Sequence, residues 1–239
     1  MEKSIKIILS AILMLLGGVH AEAQVDEGRN TEFYIGGQLS RPFTLSHTYD
    51  FSEKSNKGIY AKPGGGFTLE LNSRKQFGFG GLISYAGFGV DWEGMNHQLG
   101  SESIDRTGII NSTQLGFGPV GNFEILPGQI FFQVKSYVGI RFLSAPDFTA
   151  NYDPRDSRFV TVDYQVKSQT SLYYQVDMNF QFFPMKNFGF SLGVNYLGGG
   201  INSLKYDYIT TGSKVIEGQD KIHQAYHFLN YKLGIVLPF

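Results

Sequence analysis

The chain has 239 residues, of which 42% are hydrophobic, 15% aromatic and 17% charged, with 30 Gly and no Cys; this composition excludes a disordered tail, a disulfide scaffold and a Cys-based zinc site. Basic and acidic residues number 20 and 21, for a formal charge of −1, so no positive excess exists to drive nucleic-acid binding. The 21 Phe and 14 Tyr, together with the Gly content, lean toward β structure.

Residues 1–23 carry Lys3 and Lys6, an apolar run from Ile7 to Val19, and Ala21-Glu22-Ala23 before Gln24. That order of charge, apolar run and small residues predicts a secretory signal peptide. The run is shorter than the roughly 20 residues that a membrane-spanning helix needs. The rest of the chain, 24–239, reads as one β domain.

Eight segments with alternating polarity follow in chain order. Phe33, Ile35, Leu39 and Phe43 mark the first, Phe67, Leu69 and Leu71 the second, and Phe77, Phe79, Ile83 and Tyr85 the third. Leu115, Phe117, Phe123 and Ile125 mark the fourth, and Phe132, Val134, Val138, Ile140 and Phe142 the fifth. The sixth is the clearest: from Ser171 to Phe182, Leu172, Tyr174, Val176, Met178, Phe180 and Phe182 alternate with Ser, Tyr, Gln, Asp and Asn. Period two over that length gives a strand with one apolar and one polar side. Phe188, Phe190, Leu192, Val194 and Tyr196 mark the seventh, and Leu229, Tyr231, Leu233, Ile235, Leu237 and Phe239 the eighth.

The connections are short and long in turn. Asn72–Gln76, Leu126–Gln129 and Phe183–Asn187 are tight turns, while roughly 46–63, 90–106, 144–169 and 198–222 are long. Short turns on one rim and long loops on the other predict an all-β fold, an eight-stranded antiparallel up-and-down transmembrane β-barrel. A soluble barrel would have to pack the many Phe into one small core. Turned outward, Phe and Leu meet lipid, with Val176 near the middle of that band. Inside, Gly and charged residues fill a narrow lumen, where Glu70, Glu124, Lys135, Asp177 and Lys232 are expected to form a charge network, because an unpaired ion there would be costly.

The final strand ends Gly234-Ile235-Val236-Leu237-Pro238-Phe239. Gly234, Leu237 and the terminal aromatic Phe239 resemble the C-terminal assembly signal of outer-membrane barrel proteins. Pro238 departs from that signal, since it cannot donate to a strand ladder. With the signal peptide and the eight segments, the chain resembles the small outer-membrane β-barrel domain family that includes OmpX-like and PorT-like proteins. The resemblance implies a Gram-negative outer-membrane location, periplasmic termini and long external loops. As partners it implies outer-membrane lipid, the barrel-assembly machinery during insertion, and an extracellular or secretion-complex protein.

Motifs of enzymatic chemistry find no support. Gly116-Phe117-Gly118-Pro119-Val120-Gly121 has dinucleotide-motif spacing, but an alternating strand runs through it. Neither Gly64-Gly65-Gly66 nor Gly198-Gly199-Gly200 precedes the Lys-Ser or Lys-Thr of a phosphate loop. His47, His97, His223 and His227 fall in or beside the long loops, none with a Ser two residues on, as lipid-deacylating barrels would have. Asp153–Arg158 mixes charges without a calcium loop's ligand spacing or its Gly. No catalytic residue, metal site or cofactor is expected. An eight-stranded lumen is also too narrow for general diffusion. The expected function is non-enzymatic: surface binding, adhesion or an envelope-structural role, with a transport or secretion-accessory component as the alternative. Val160, Val162, Tyr164 and Val166 continue the phase of the sixth strand, so a protruding strand is expected there, with the fifth strand's continuation beyond Phe142 as its hairpin mate and an edge that captures a partner strand.

Overall fold

The computed structural model describes residues 30–43, 61–106, 108–153, 159–199, 202–212, 215–224 and 227–239. The expected signal peptide, 1–23, lies outside the described residues, as do His47 and residues 154–158. In chain order the elements are β1 (Thr31–Phe43), β2 (Ala61–Ser73), β3 (Phe77–Val90), α1 (Trp92–Leu99), β4 (Ser103–Arg106), β5 (Ile110–Leu126) and β6 (Ile130–Ser144). There follow β7 (Phe148–Asn151), β8 (Phe159–Val166), β9 (Gln169–Met185), β10 (Phe188–Gly199), β11 (Asn202–Gly212), β12 (Ile216–Gln224) and β13 (His227–Pro238).

Eight of the strands close a barrel in the order β1-β2-β3-β5-β6-β9-β10-β13, each antiparallel to the next, with β13 returning to β1. Alternation sets which way each side chain points. In β9, Leu172 is 74% exposed on the outside and Asp177 is fully buried inside. Phe79, Phe117, Phe180 and Leu192 belong to the same outward apolar band. A band of this kind around a closed barrel has no stable place in water, and it puts the chain in an outer membrane.

The three tight turns occur where the sequence places them. Gly128 takes φ of 69°, the left-handed geometry that favours glycine, and its N–H donates to Glu124 Oε1 at 2.5 Å. That contact corrects one expectation. Glu124 has the inward phase of β5, but it stands at the strand's last turn, where the nearest unsatisfied donor is the turn backbone. Glu124 therefore caps the β5–β6 turn and stays out of the lumen network.

Three of the long connections are not loops. β12, β11, β8, β7 and β4 form a second antiparallel sheet in that order. The order repeats that of the barrel strands they adjoin in sequence (β13, β10, β9, β6, β5), so the barrel hairpins continue outward and bend near Pro146 and Lys167-Ser168. Within the connection after β3, α1 makes two turns that no sequence period announced. Asp91 caps it through Gly94 N–H at 3.5 Å, and Gly100, with φ of 64°, ends it.

The partner-strand expectation also needs correction. β8 does pair with β7, the continuation of the fifth barrel strand, but β11 covers its other side, so it is hydrogen-bonded on both sides. Val162 and Tyr164 are buried, Val166 is half-buried and Val160 is exposed at the strand's start. With both ladders filled, β8 has no edge to offer an incoming strand.

Pro238 does not interrupt the C-terminal strand. Phe239 exchanges both backbone bonds with Thr31, at 2.9 and 3.3 Å. Alternation then points the position of Pro238 away from β1 toward β10, whose pairing with β13 stops at Val236. The missing N–H falls where no partner stands.

Candidate functional site

The lumen is filled in layers. At its centre Glu70 of β2 accepts hydrogen bonds from Lys135 of β6 and Lys232 of β13, and Lys232 also reaches Asp177 Oδ2 of β9 at 2.8 Å. Two cations meet two carboxylates, all buried, so the layer is neutral and paired. Remaining acceptor positions are used too: Asn72 Nδ2 donates to Glu70 at 3.0 Å and Gln175 Nε2 to Asp177 at 2.7 Å. The Tyr34 ring lies 5.0 Å from the Lys232 ammonium and 5.7 Å from that of Lys135. Glycines make room for that ring, since a Cβ at Gly36 would stand 2.0 Å from Tyr34 Oη and one at Gly234 2.6 Å from its Cε2.

Toward the periplasmic turns a second layer gathers on Glu32. Gln133 and Gln181 each donate to its Oε1 at 2.8 Å, and Gln133 also donates to Asn122 at 2.7 Å. The Arg74 guanidinium lies 3.9 Å from Glu32 and over the rings of Phe183 and Phe131, at 4.8 and 5.4 Å. Above the central layer, Gln38, Thr68 and Ser84 bond one another at 3.0 to 3.1 Å.

The external mouth is sealed by apolar packing. Phe88 and Phe228 stack with centroids 4.4 Å apart, and Ile110, Leu143 and Leu197 join them. The same cluster continues into α1 through Met95 and into the second sheet through Phe148, Ala150, Val162 and Tyr164. Phe148 stacks on Tyr164 at 4.6 Å, and Trp92 meets Phe148 edge-on at 5.8 Å. One continuous core thus fastens the external sheet to the barrel. The sheet's other face carries Thr149, Asn151, Thr161, Asp163, Gln165 and Ile209.

Of the residues singled out from sequence, Glu70, Lys135, Asp177 and Lys232 come together, and Glu124 does not. Gly234 serves the Tyr34 contact, while Leu237 and Phe239 face outward at the periplasmic end of β13. Sequence reasoning missed Glu32, Arg74, Gln133 and Gln181, although Glu32, Gln133 and Gln181 share the inward phase of their strands. It also missed Phe88 and Phe228, whose signal is an apolar residue in the inward register at the outer end of a strand. Among the described residues no three His, Asp or Glu converge as metal ligands.

No protein-family model matches the chain, and no curated protein matches it. Solved structures do. The outer membrane protein OprG from Pseudomonas aeruginosa superposes with a TM-score of 0.50 at 12% identity, covering 88% of this chain and 96% of that one. Neisserial surface protein A gives 0.48 at 10% identity, over 87% and 97% of the two chains. Ail, the attachment invasion locus protein of Yersinia pestis, gives 0.45 at 16% identity, over 88% and 99%. The architecture is that of the small eight-stranded outer-membrane β-barrels.

Proposed function

We propose that this is a non-enzymatic outer-membrane barrel that holds a rigid β-sheet above the membrane as a binding surface. The observation that carries the reading is the single apolar core that runs from Phe88 and Phe228 at the barrel mouth to Phe148, Val162 and Tyr164 of the sheet. A sheet anchored in this way keeps one orientation, and rigid presentation lowers the ordering cost of binding. The lumen supports the same reading. Its paired charges and apolar cap occupy the path that a solute would need, which leaves the external face as the place for function. Insertion through the barrel-assembly machinery, guided by Gly234, Leu237 and Phe239, belongs to the same proposal.

The test compares cells producing the wild type with cells carrying Thr149→Lys, Asp163→Lys and Ile209→Lys together on the open face. Attachment to matrix-coated surfaces and to other cells is the readout. Wild type is expected to raise retention above cells lacking the protein, and the triple variant to lose that gain at equal surface abundance. Equal retention in all three, or stable co-purification with secretion components, would overturn the reading in favour of an accessory role.

A further inference from the structure

The apolar band ends on its external side at a rim where one patch carries a cation. Along β1 the outward positions run Phe33, Ile35, Gly37, Leu39 and Arg41. Arg41 is exposed, and no hydrogen bond or ion pair of its side chain is found among the described residues. At about 3.3 Å per residue and a tilt near 45°, Arg41 stands about 23 Å above Thr31, close to where an outward band about 25 Å tall gives way.

The neighbours of Arg41 are the polar ends of the aromatic rim. Arg41 pairs with Leu229 of β13, and Leu229 pairs with Tyr196 of β10. His227 precedes Leu229 by two residues in the same phase and is the diagonal neighbour of Arg41, about 7–8 Å away, but its side chain is buried. His227 Nδ1 lies 2.8 Å from Tyr196 Oη, with the two rings stacked at 6.0 Å, and Tyr196 Oη lies 3.3 Å from Tyr174 Oη of β9. A guanidinium and two phenols therefore share one stretch of rim, with the buried His227 imidazole bracing Tyr196 from β13.

Arg presents a planar fork that matches phosphate oxygens, and Tyr hydroxyls at a membrane boundary bond headgroups while their rings stay in the apolar layer. Below Arg41 lies Leu39, 70% exposed, with Tyr231 opposite it on β13. A ligand with phosphate at the rim and acyl chains running down that surface satisfies both parts; free phosphate covers only one. We propose that Arg41, with the hydroxyls of Tyr196 and Tyr174, forms a binding site for the phosphate-bearing headgroup of an outer-leaflet lipid, with buried His227 holding Tyr196 in place. This goes beyond the surface-binding reading and does not depend on what the external sheet binds.

The experiment titrates the intact protein in detergent micelles by native mass spectrometry. The probes are a bisphosphorylated disaccharide lipid, its dephosphorylated form and inorganic phosphate. Wild type is expected to bind the phosphorylated lipid about tenfold more tightly than the dephosphorylated one. Arg41→Gln should erase that preference while still giving the heat-dependent gel shift of a folded barrel, and Arg41→Lys should keep part of it. Three results would overturn the site: no preference in the wild type, full preference in folded Arg41→Gln, or displacement of the lipid by an equal concentration of inorganic phosphate.

Discussion

Lys232 Nζ lies 2.8 Å from Asp177 Oδ2, yet the two residues stand on strands that are not neighbours. β10 runs between β13 and β9, and at the rung of Lys232 it presents Gly193. Gly193 has no side chain to stand in the way; a Cβ there would already come within 2.0 Å of Asn179 Oδ1. The contact therefore crosses the lumen wall over a glycine, and Glu70 from β2 closes the group from the opposite side.

Among the described residues, removing Glu70 takes away the ion pair of Lys135 and leaves Lys232 with Asp177. Glu70→Ala is expected to cost about 3–5 kcal/mol, because a buried ion without its partner keeps its desolvation penalty. Adding Lys135→Ala to the same chain should cost less than the two single losses together. Urea unfolding in lipid vesicles reads both values; full additivity would show that the central residues do not act as one group.

Phe228 is fully buried and stacked on Phe88 at the point where the barrel core passes into the external sheet. Phe228→Ala is expected to cost about 3–5 kcal/mol and to loosen the sheet from the mouth. Lys167, held 2.8 Å from Asp207, lies on the bend between β8 and β9 and offers trypsin a site when the sheet detaches. Faster cleavage at Lys167 in the variant is the expected result, and unchanged cleavage would mean that the stack does not fasten the sheet.

Depth decides the cost of a charge on the outward face. Val176, which strand phase puts near the middle of the band, points outward from β9 between Tyr174 and Met178. Phe182, three outward positions lower on the same strand, lies beside the periplasmic turn. Val176→Arg is expected to cost about 2–4 kcal/mol and Phe182→Arg less, since the penalty falls toward the interface. Folding free energies in bilayers check the order, and the reverse ranking would displace the band.

Because β8 has neighbours on both sides, proline there acts on the whole external sheet. Val162→Pro with Tyr164→Pro should remove ladder bonds inside the sheet and expose β7 and β11 to protease. The barrel below should still insert and show its heat-dependent gel shift. Loss of that shift would mean that the sheet and the barrel fold as one unit.

Strict alternation from Ser171 to Phe182, and its echo in seven other segments, was enough to determine a barrel, its strand number and which side meets lipid. Period two binds each residue's direction to its position, so a local pattern carries global orientation. Inward phase likewise marked Glu70, Lys135, Asp177 and Lys232 as lumen residues. Phase does not say which residues meet across the lumen. Only the closed ring and its register bring Lys232 to Glu70, residues separated by 162 positions, and leave Glu124, with the same phase, at a turn. Of the external sheet only β8 was legible as a strand, and its place between two neighbours was hidden for a related reason. The sheet's strands are short, and their pairings, such as Tyr164 opposite Tyr208 and Phe148, join segments distant in the chain; the stability of such pairs comes from packing between strands, which no single segment encodes.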